Sequence, residues 1–212
     1  MTTTVTLSAA YGSGGSVVGP LLAERLAVPF HDRAIPAQVA EDLDLDLDTV
    51  LVHDGRAEHG LSRLFAAVAW LPNTTLGGME GFLPGSERMD KAVVAERTAE
   101  VLRHIAAEQG GVILGRAAAV VLADDPHVLH VRIDGPPEAR IRQAMTLRNI
   151  DEPTARERQQ DNDAARQAYV EQLYGRDPRD LTLYDLMLDS TAVPFDACVD
   201  IIERAARSLR RA

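Results

Sequence analysis

Residues 5–32 read VTLSAAYGSGGSVVGPLLAERLAVPFHD, and the order of residue types in this stretch decides the fold. Val5, Thr6 and Leu7 form a β-branched and apolar run that breaks into Tyr11, Gly12, Ser13, Gly14, Gly15 and Ser16; this is the pattern of a strand entering a glycine loop. Beyond the loop Val18, Leu21, Leu22 and Leu26 recur at helical spacing, with Glu24 and Arg25 on the other face. A strand that delivers a glycine loop into a helix N-terminus is an anion trap, because backbone N–H groups point at the ligand and the helix dipole favours negative charge. The general phosphate-binding pattern is G-x-x-x-x-G-K-[ST]. Gly14 and Ser16 fall on its second glycine and its hydroxyl, whereas Ala9 replaces the first glycine and Gly15 sits where the lysine belongs. On these residues alone a tight strand-to-helix turn without a ligand is the alternative.

Working outward, Pro29 to His31 reads as a short second strand that ends at Asp32. Asp32 then stands at the carboxyl edge of the sheet, where open α/β sheets bind ligands; it can order magnesium waters, contact a nucleoside, or cap a helix starting near Ala34. Residues 72–88 hold Pro72, Gly77, Gly78, Gly81, Pro84 and Gly85, too many breakers for a helix, and are expected to be a long flexible loop. Helical periodicity returns over 90–108, and Gly110 and Gly111 precede the apolar strand Val112-Ile113-Leu114, which runs into Gly115 and Arg116. His127 to Ile133 is another strand, Pro136 and Pro137 open a helix, Thr154 to Tyr174 is a charged helix, and Leu186 to Leu188 is a last strand before a C-terminal helix. Strands alternating with helices imply an α/β fold with a parallel sheet and helices on both faces.

The 212 residues fit one domain, 1–212, with enough chain to bury a core without disulfides; Cys198 stands alone. A net charge of -10 argues against a nucleic-acid partner, which requires clustered cations, and no run is long and apolar enough for a membrane span. Small molecules are the expected partners. The opening MTTTVTLSAA lacks a basic stretch followed by an apolar run, so a cytoplasmic location is expected. Of 22 basic residues only Lys91 is a lysine; it is the one stand-in for the absent loop lysine, or a solvated helix residue.

The stretch from Val5 to Asp32, with its ungapped Tyr11-Gly12-Ser13-Gly14-Gly15, resembles the start of the cytidylate-kinase-like family of phosphate-loop proteins. The likeness continues through Leu114-Gly115-Arg116, through Asp163-Ala164-Ala165-Arg166 and through Tyr184-Asp185-Leu186. The resemblance implies a nucleoside-monophosphate-kinase fold: a five-stranded parallel sheet, a phosphate loop after the first strand, a substrate-binding insertion at 34–90 and a lid at 150–178. It also implies ATP and magnesium as cofactors, with phosphoryl transfer to a nucleoside monophosphate or another small acceptor. This chain departs from the family at Ala9, Ala10 and Ser16, where members usually carry charged side chains, and at Gln159 and Gln160, which replace an Arg-Asp pair in the lid.

Phosphoryl transfer needs cations and N–H donors more than covalent chemistry. The catalytic candidates are therefore Arg116, Arg166 and Asp163, the first also a substrate-phosphate ligand beside Asp32. Residues 11–16 are the nucleotide-binding candidates, and the Ser16 hydroxyl and Asp32 carboxylate are the magnesium candidates. Asp163 and Arg166 also sit at i,i+3, where they can simply pair with each other. Arg140, Arg142, Arg156 and Arg158 read as surface salt-bridge partners, and Asp134 reads as the cap of the helix opened by Pro136. The histidines form no metal-ligand pattern. Two functional readings stand side by side: a kinase, and an inactive nucleotide-binding sensor or interaction protein on the same fold. Bulky substitution at Gly14 is expected to abolish nucleotide binding.

Overall fold

A computed structural model describes residues 3–32 and 91–209. The expected insertion at 34–90, with its loop at 72–88, lies outside the described residues. Strand β1 (Thr4–Ala9) leads through the glycine loop into α1 (Gly15–Leu26) and β2 (Phe30–His31). After the undescribed segment come α2 (Lys91–His104), a π-helical turn (Ile105–Gln109), β3 (Gly111–Leu114), the single turn α3 (Ala118–Val121) and β4 (Val128–Asp134). Helices α4 (Pro137–Arg148) and α5 (Glu152–Tyr174) follow, then a 3-10 turn (Leu181–Leu183), β5 (Leu186–Asp189) and α6 (Phe195–Ser208).

The five strands form one parallel sheet in the order β2-β3-β1-β4-β5, with Leu7 opposite Leu114 on one side and Val131 on the other. The strand ends expected from sequence hold to within two residues. Alternation along each strand separates two layers. Val5, Leu7, Val112, Leu114, Val131 and Ile133 pack with Val18 and Leu22 of α1 and Val199 and Ile202 of α6. Ile113 points the other way, into Leu102, Ile105 and Leu122 on the side of α2 and α3. A third cluster, Tyr11, Ile141, Ala144 and Ala155, seats α4 and α5 on the glycine loop. Asp151 caps α5, its carboxylate accepting from the Thr154 N–H at 3.1 Å. Among the described residues no helix is long and apolar enough to cross a membrane.

One polar pair lies inside the second layer: the Thr6 hydroxyl and His130 Nδ1 meet at 2.8 Å, with His130 only 7% exposed. Burial pushes the His130 imidazole below its ordinary value of 6.5, against the opposing pull of Asp185 and Asp125. The folded chain therefore binds this proton less readily than the unfolded chain, and stability is lost as pH falls through the unfolded value. With one proton involved, the slope is at most about 1.4 kcal/mol per pH unit. Urea midpoints at pH 7.5 and 5.5 are expected to show this loss, and His130→Gln should flatten it; an unchanged slope in the variant assigns the acid sensitivity elsewhere.

Candidate functional site

The site grows from the turn between β1 and α1. Gly12 and Gly14 have φ of 79° and 80°, the left-handed region that glycine enters without a side-chain penalty, and this reverses the chain so that α1 starts directly above the end of β1. Ser13 is fully buried inside the turn; its hydroxyl donates to the Ala10 carbonyl at 2.8 Å, so it shapes the loop. The N–H groups of Val17 and Val18 turn back to the Gly14 carbonyl, both at 2.9 Å. Those of Gly14, Gly15 and Ser16 find no acceptor among the described residues, which leaves the first-turn donors of α1 presented to a ligand. Ser16 is exposed beside them.

Gly15 explains the missing lysine physically. A Cβ there would lie 2.5 Å from the Ala9 Cβ and 3.1 Å from Leu114 Cδ1, closer than packed side chains approach. The backbone at this position lies flat on β1 and β3, and any side chain would displace it.

The loop is held from outside. Arg140, at the start of α4 and 7% exposed, donates through Nη1 to the Tyr11 carbonyl at 2.9 Å and to Asp163 Oδ2 at 2.7 Å. Asp163 Oδ1 in turn accepts from the Tyr11 N–H at 2.9 Å. Gln143 Nε2 donates to the Gly12 carbonyl at 2.9 Å, and Arg166 donates to the Ala9 carbonyl. Asp163 and Arg166 thus both address the loop backbone, which the i,i+3 alternative did not foresee. Gln159, at a family arginine position, is buried and donates to the Pro137 carbonyl at 3.0 Å, tying α5 to the start of α4.

Arg116 follows Gly115 at the end of β3. Gly115, Arg116 and Ala117 have φ of 78°, 63° and 53°, a left-handed run in which two non-glycine residues are strained. It carries Arg116 inward, to 6% exposure, where Nη2 donates to the Asp32 carbonyl at 3.2 Å and lies 3.8 Å from its carboxylate. Burial is the main influence on this guanidinium and pushes it down to about 10, with Asp32 and Tyr169 pulling the other way. Burial likewise raises the Tyr169 phenol.

These groups share one cavity of about 810 Å³, whose wall includes Ser16, Asp32, Arg116, Asp163 and Arg166. Its charged lining among the described residues is six arginines against three aspartates, a local excess of cations in a chain of net charge -10. Arg132 and Arg148 lie over the rings of Tyr184 and Tyr11, 5.7 and 5.6 Å from their centroids.

Two readings of the sequence need correction. Asp134 does not cap α4: the helix is capped at Pro136 with no side-chain bond. Its carboxylate instead accepts from Arg132 at 2.6 Å and from the Gly135 N–H at 2.9 Å, and pairs with Arg140 at 3.3 Å. Arg140 is not a surface partner but the centre of the loop's support. Arg156 does pair on the surface, with Glu138 and Glu152. Gln143 carried no sequence signal, since an amide on a helix gains its role here only from a carbonyl 131 positions away.

Comparison with known proteins agrees with this architecture. The chain is 37% identical over 109 residues to a cytidylate kinase of Methanopyrus kandleri, and the match spans 47% of this chain and 56% of that protein. The structure resembles an uncharacterized protein of Eubacterium ventriosum with a TM-score of 0.68 and 21% identity, covering 97% and 99% of the two chains. A shikimate kinase of Bacteroides thetaiotaomicron shares the fold at a TM-score of 0.51 and 12% identity, over 97% and 98% of the chains. The pattern of the cytidylate kinase-like family matches residues 4–192, from the first strand past the last, and the chain belongs to that family.

Proposed function

We propose that this protein binds a nucleotide by its phosphates at the N-terminus of α1 and transfers a phosphoryl group from ATP to a nucleoside monophosphate or another small phosphate acceptor. The observation that carries the reading is the meeting of the Gly14, Gly15 and Ser16 N–H groups with an arginine-rich cavity of about 810 Å³, a volume ordinary for small-molecule sites. Backbone donors hold the donor phosphates, Arg116 grips the acceptor phosphate, and Arg166, between α5 and the loop, offsets charge that develops during transfer. Asp163 acts through the loop.

Magnesium fits this site on limited protein terms. Ser16 offers a hydroxyl and Asp32 a carboxylate on the cavity wall, and no group of three or more acidic, histidine or cysteine side chains forms a cage among the described residues. A magnesium ion held by one or two protein oxygens, with waters and ligand phosphates completing the shell, is the usual arrangement for this ion. When bound it neutralises phosphate charge.

Turnover is expected to be slow or directed at an unusual acceptor, because the loop has no lysine and the flanking positions are Ala9, Ala10 and Ser16. One positioned cation missing from a transition state costs ~3 kcal/mol, or about a hundredfold in rate. A coupled ADP-release assay across the common nucleoside monophosphates tests the reading. Acceptor-dependent ADP release supports a kinase; calorimetric binding of ATP with no release under any acceptor supports the non-catalytic binder; no binding and no release defeats both.

A further inference from the structure

We infer that Arg140 and Gln143 are positioning residues for the phosphate loop: side chains of α4 and α5 hold its backbone in the anion-binding shape. The inference rests on the proposed phosphate site at Gly14–Ser16 and assigns to two further residues a share in its affinity.

A loop with two left-handed glycines exposes backbone polar groups that must find partners, and its shape is marginal on its own because glycine gives up much conformational freedom on folding. Here successive backbone groups are met by side chains from two other helices. The carbonyl of Ala9 accepts from Arg166. Tyr11 is bonded on both sides, its N–H to Asp163 and its carbonyl to Arg140, each at 2.9 Å. The Gly12 carbonyl accepts from Gln143 at 2.9 Å. Arg140 and Asp163 are themselves joined at 2.7 Å, and Arg140 Nε donates to the Gly135 carbonyl at 3.0 Å, which references the assembly to the end of β4. Packing closes the same space, since a Cβ on Gly12 would lie 2.3 Å from the Arg140 carbonyl oxygen.

With Ala9, Tyr11 and Gly12 pinned, the Gly14, Gly15 and Ser16 N–H groups that follow them are held in place on the wall of the same cavity. Loosening the pins lets the donors splay, which weakens a multidentate anion contact without touching the anion. Gln143 is the cleaner probe. It is partly exposed, touches the loop through one hydrogen bond and carries no charge, whereas Arg140 is buried in a network whose loss endangers the fold.

The test uses the full chain, labelled with 15N, as wild type, Gln143→Ala and Arg140→Lys, titrated with tripolyphosphate. In the wild type the Gly14, Gly15 and Ser16 amides are expected to shift saturably. In Gln143→Ala the Tyr11 to Ser16 amides should already differ before ligand is added while sheet amides stay in place, and the dissociation constant should rise about tenfold, the worth of one hydrogen bond. Arg140→Lys, whose ammonium cannot span the same acceptors, should weaken binding further if it folds. Wild-type binding together with unchanged affinity in Gln143→Ala overturns the inference and leaves the proposed site standing. Absence of saturable wild-type shifts overturns the proposed site, and the inference with it.

Discussion

Arg116→Ala is expected to lower kcat/KM for the phosphate acceptor by about a hundredfold or more while leaving the thermal midpoint unchanged or raised. The loss follows from the proposed role, since a buried guanidinium presenting several donors to a phosphate contributes ~3 kcal/mol in the transition state. The stability half follows from where the cation sits. Burial lowers its pKa to about 10, so the fold disfavours the charge that the site needs, and removing the charge relieves that cost. Alanine adopts the left-handed φ of 63° no worse than arginine does, and Asp32, with its side chain 20% exposed, can take up water in place of its partner. A residue kept for structure would show the opposite pattern, with a lower midpoint and activity falling in parallel. Steady-state kinetics and differential scanning calorimetry on the same preparations separate the two; intact kinetics in Arg116→Ala would remove it from the site.

Gly14→Val is expected to destabilise the fold by about 3 kcal/mol or more, and the cause is packing. At φ 80° a side chain is strained by roughly 1–2 kcal/mol, and a β-branched one by more. A Cβ would also stand 2.3 Å from Phe195 Cε1, on the residue that begins α6 and packs against the main core, so the ring or the loop must move. A loss of nucleotide binding in this variant would therefore follow from the damaged loop packing as readily as from ligand exclusion. Gly15→Lys should fail in the same way instead of restoring the absent cation, because its Cβ meets Ala9 and Leu114. Urea midpoints within the error of wild type for both variants would show that the loop is looser than this packing requires.

The strand, loop and helix of residues 5–32 were legible because each is encoded locally, in a β-branched run, a glycine cluster and a helical stripe. The same holds for the apolar strands at Val112–Leu114 and Val128–Ile133, whereas the strand order β2-β3-β1-β4-β5 was not legible, because it depends on pairing between segments far apart in the chain. Arg116 and Asp32 were legible as strand-end residues. What stayed hidden depends on partners distant along the chain. Arg140 sits among exposed arginines on a helix of low amphipathic contrast, and nothing near it signals that its guanidinium reaches Tyr11, 129 positions away. Asp134 has the usual spacing for a cap, but Pro136 occupies the cap position and Arg132, Gly135 and Arg140 claim the carboxylate first. Ser13 stood among the loop candidates 11–16, and its position alone does not show that its hydroxyl turns inward to the Ala10 carbonyl. Asp163 and Arg166 were reached through family resemblance, since their spacing alone suits a local pair equally well.

The central claim is that anionic phosphate is held by the first turn of α1, and the most direct measurement is calorimetric titration of wild type and Ser16→Glu with ATP and magnesium. Ser16 is exposed, so the variant should fold with an unchanged midpoint. It places a carboxylate at the Gly14–Ser16 donors. The account predicts saturable binding by wild type and loss of most of that affinity in Ser16→Glu; equal affinity in the two proteins would contradict it.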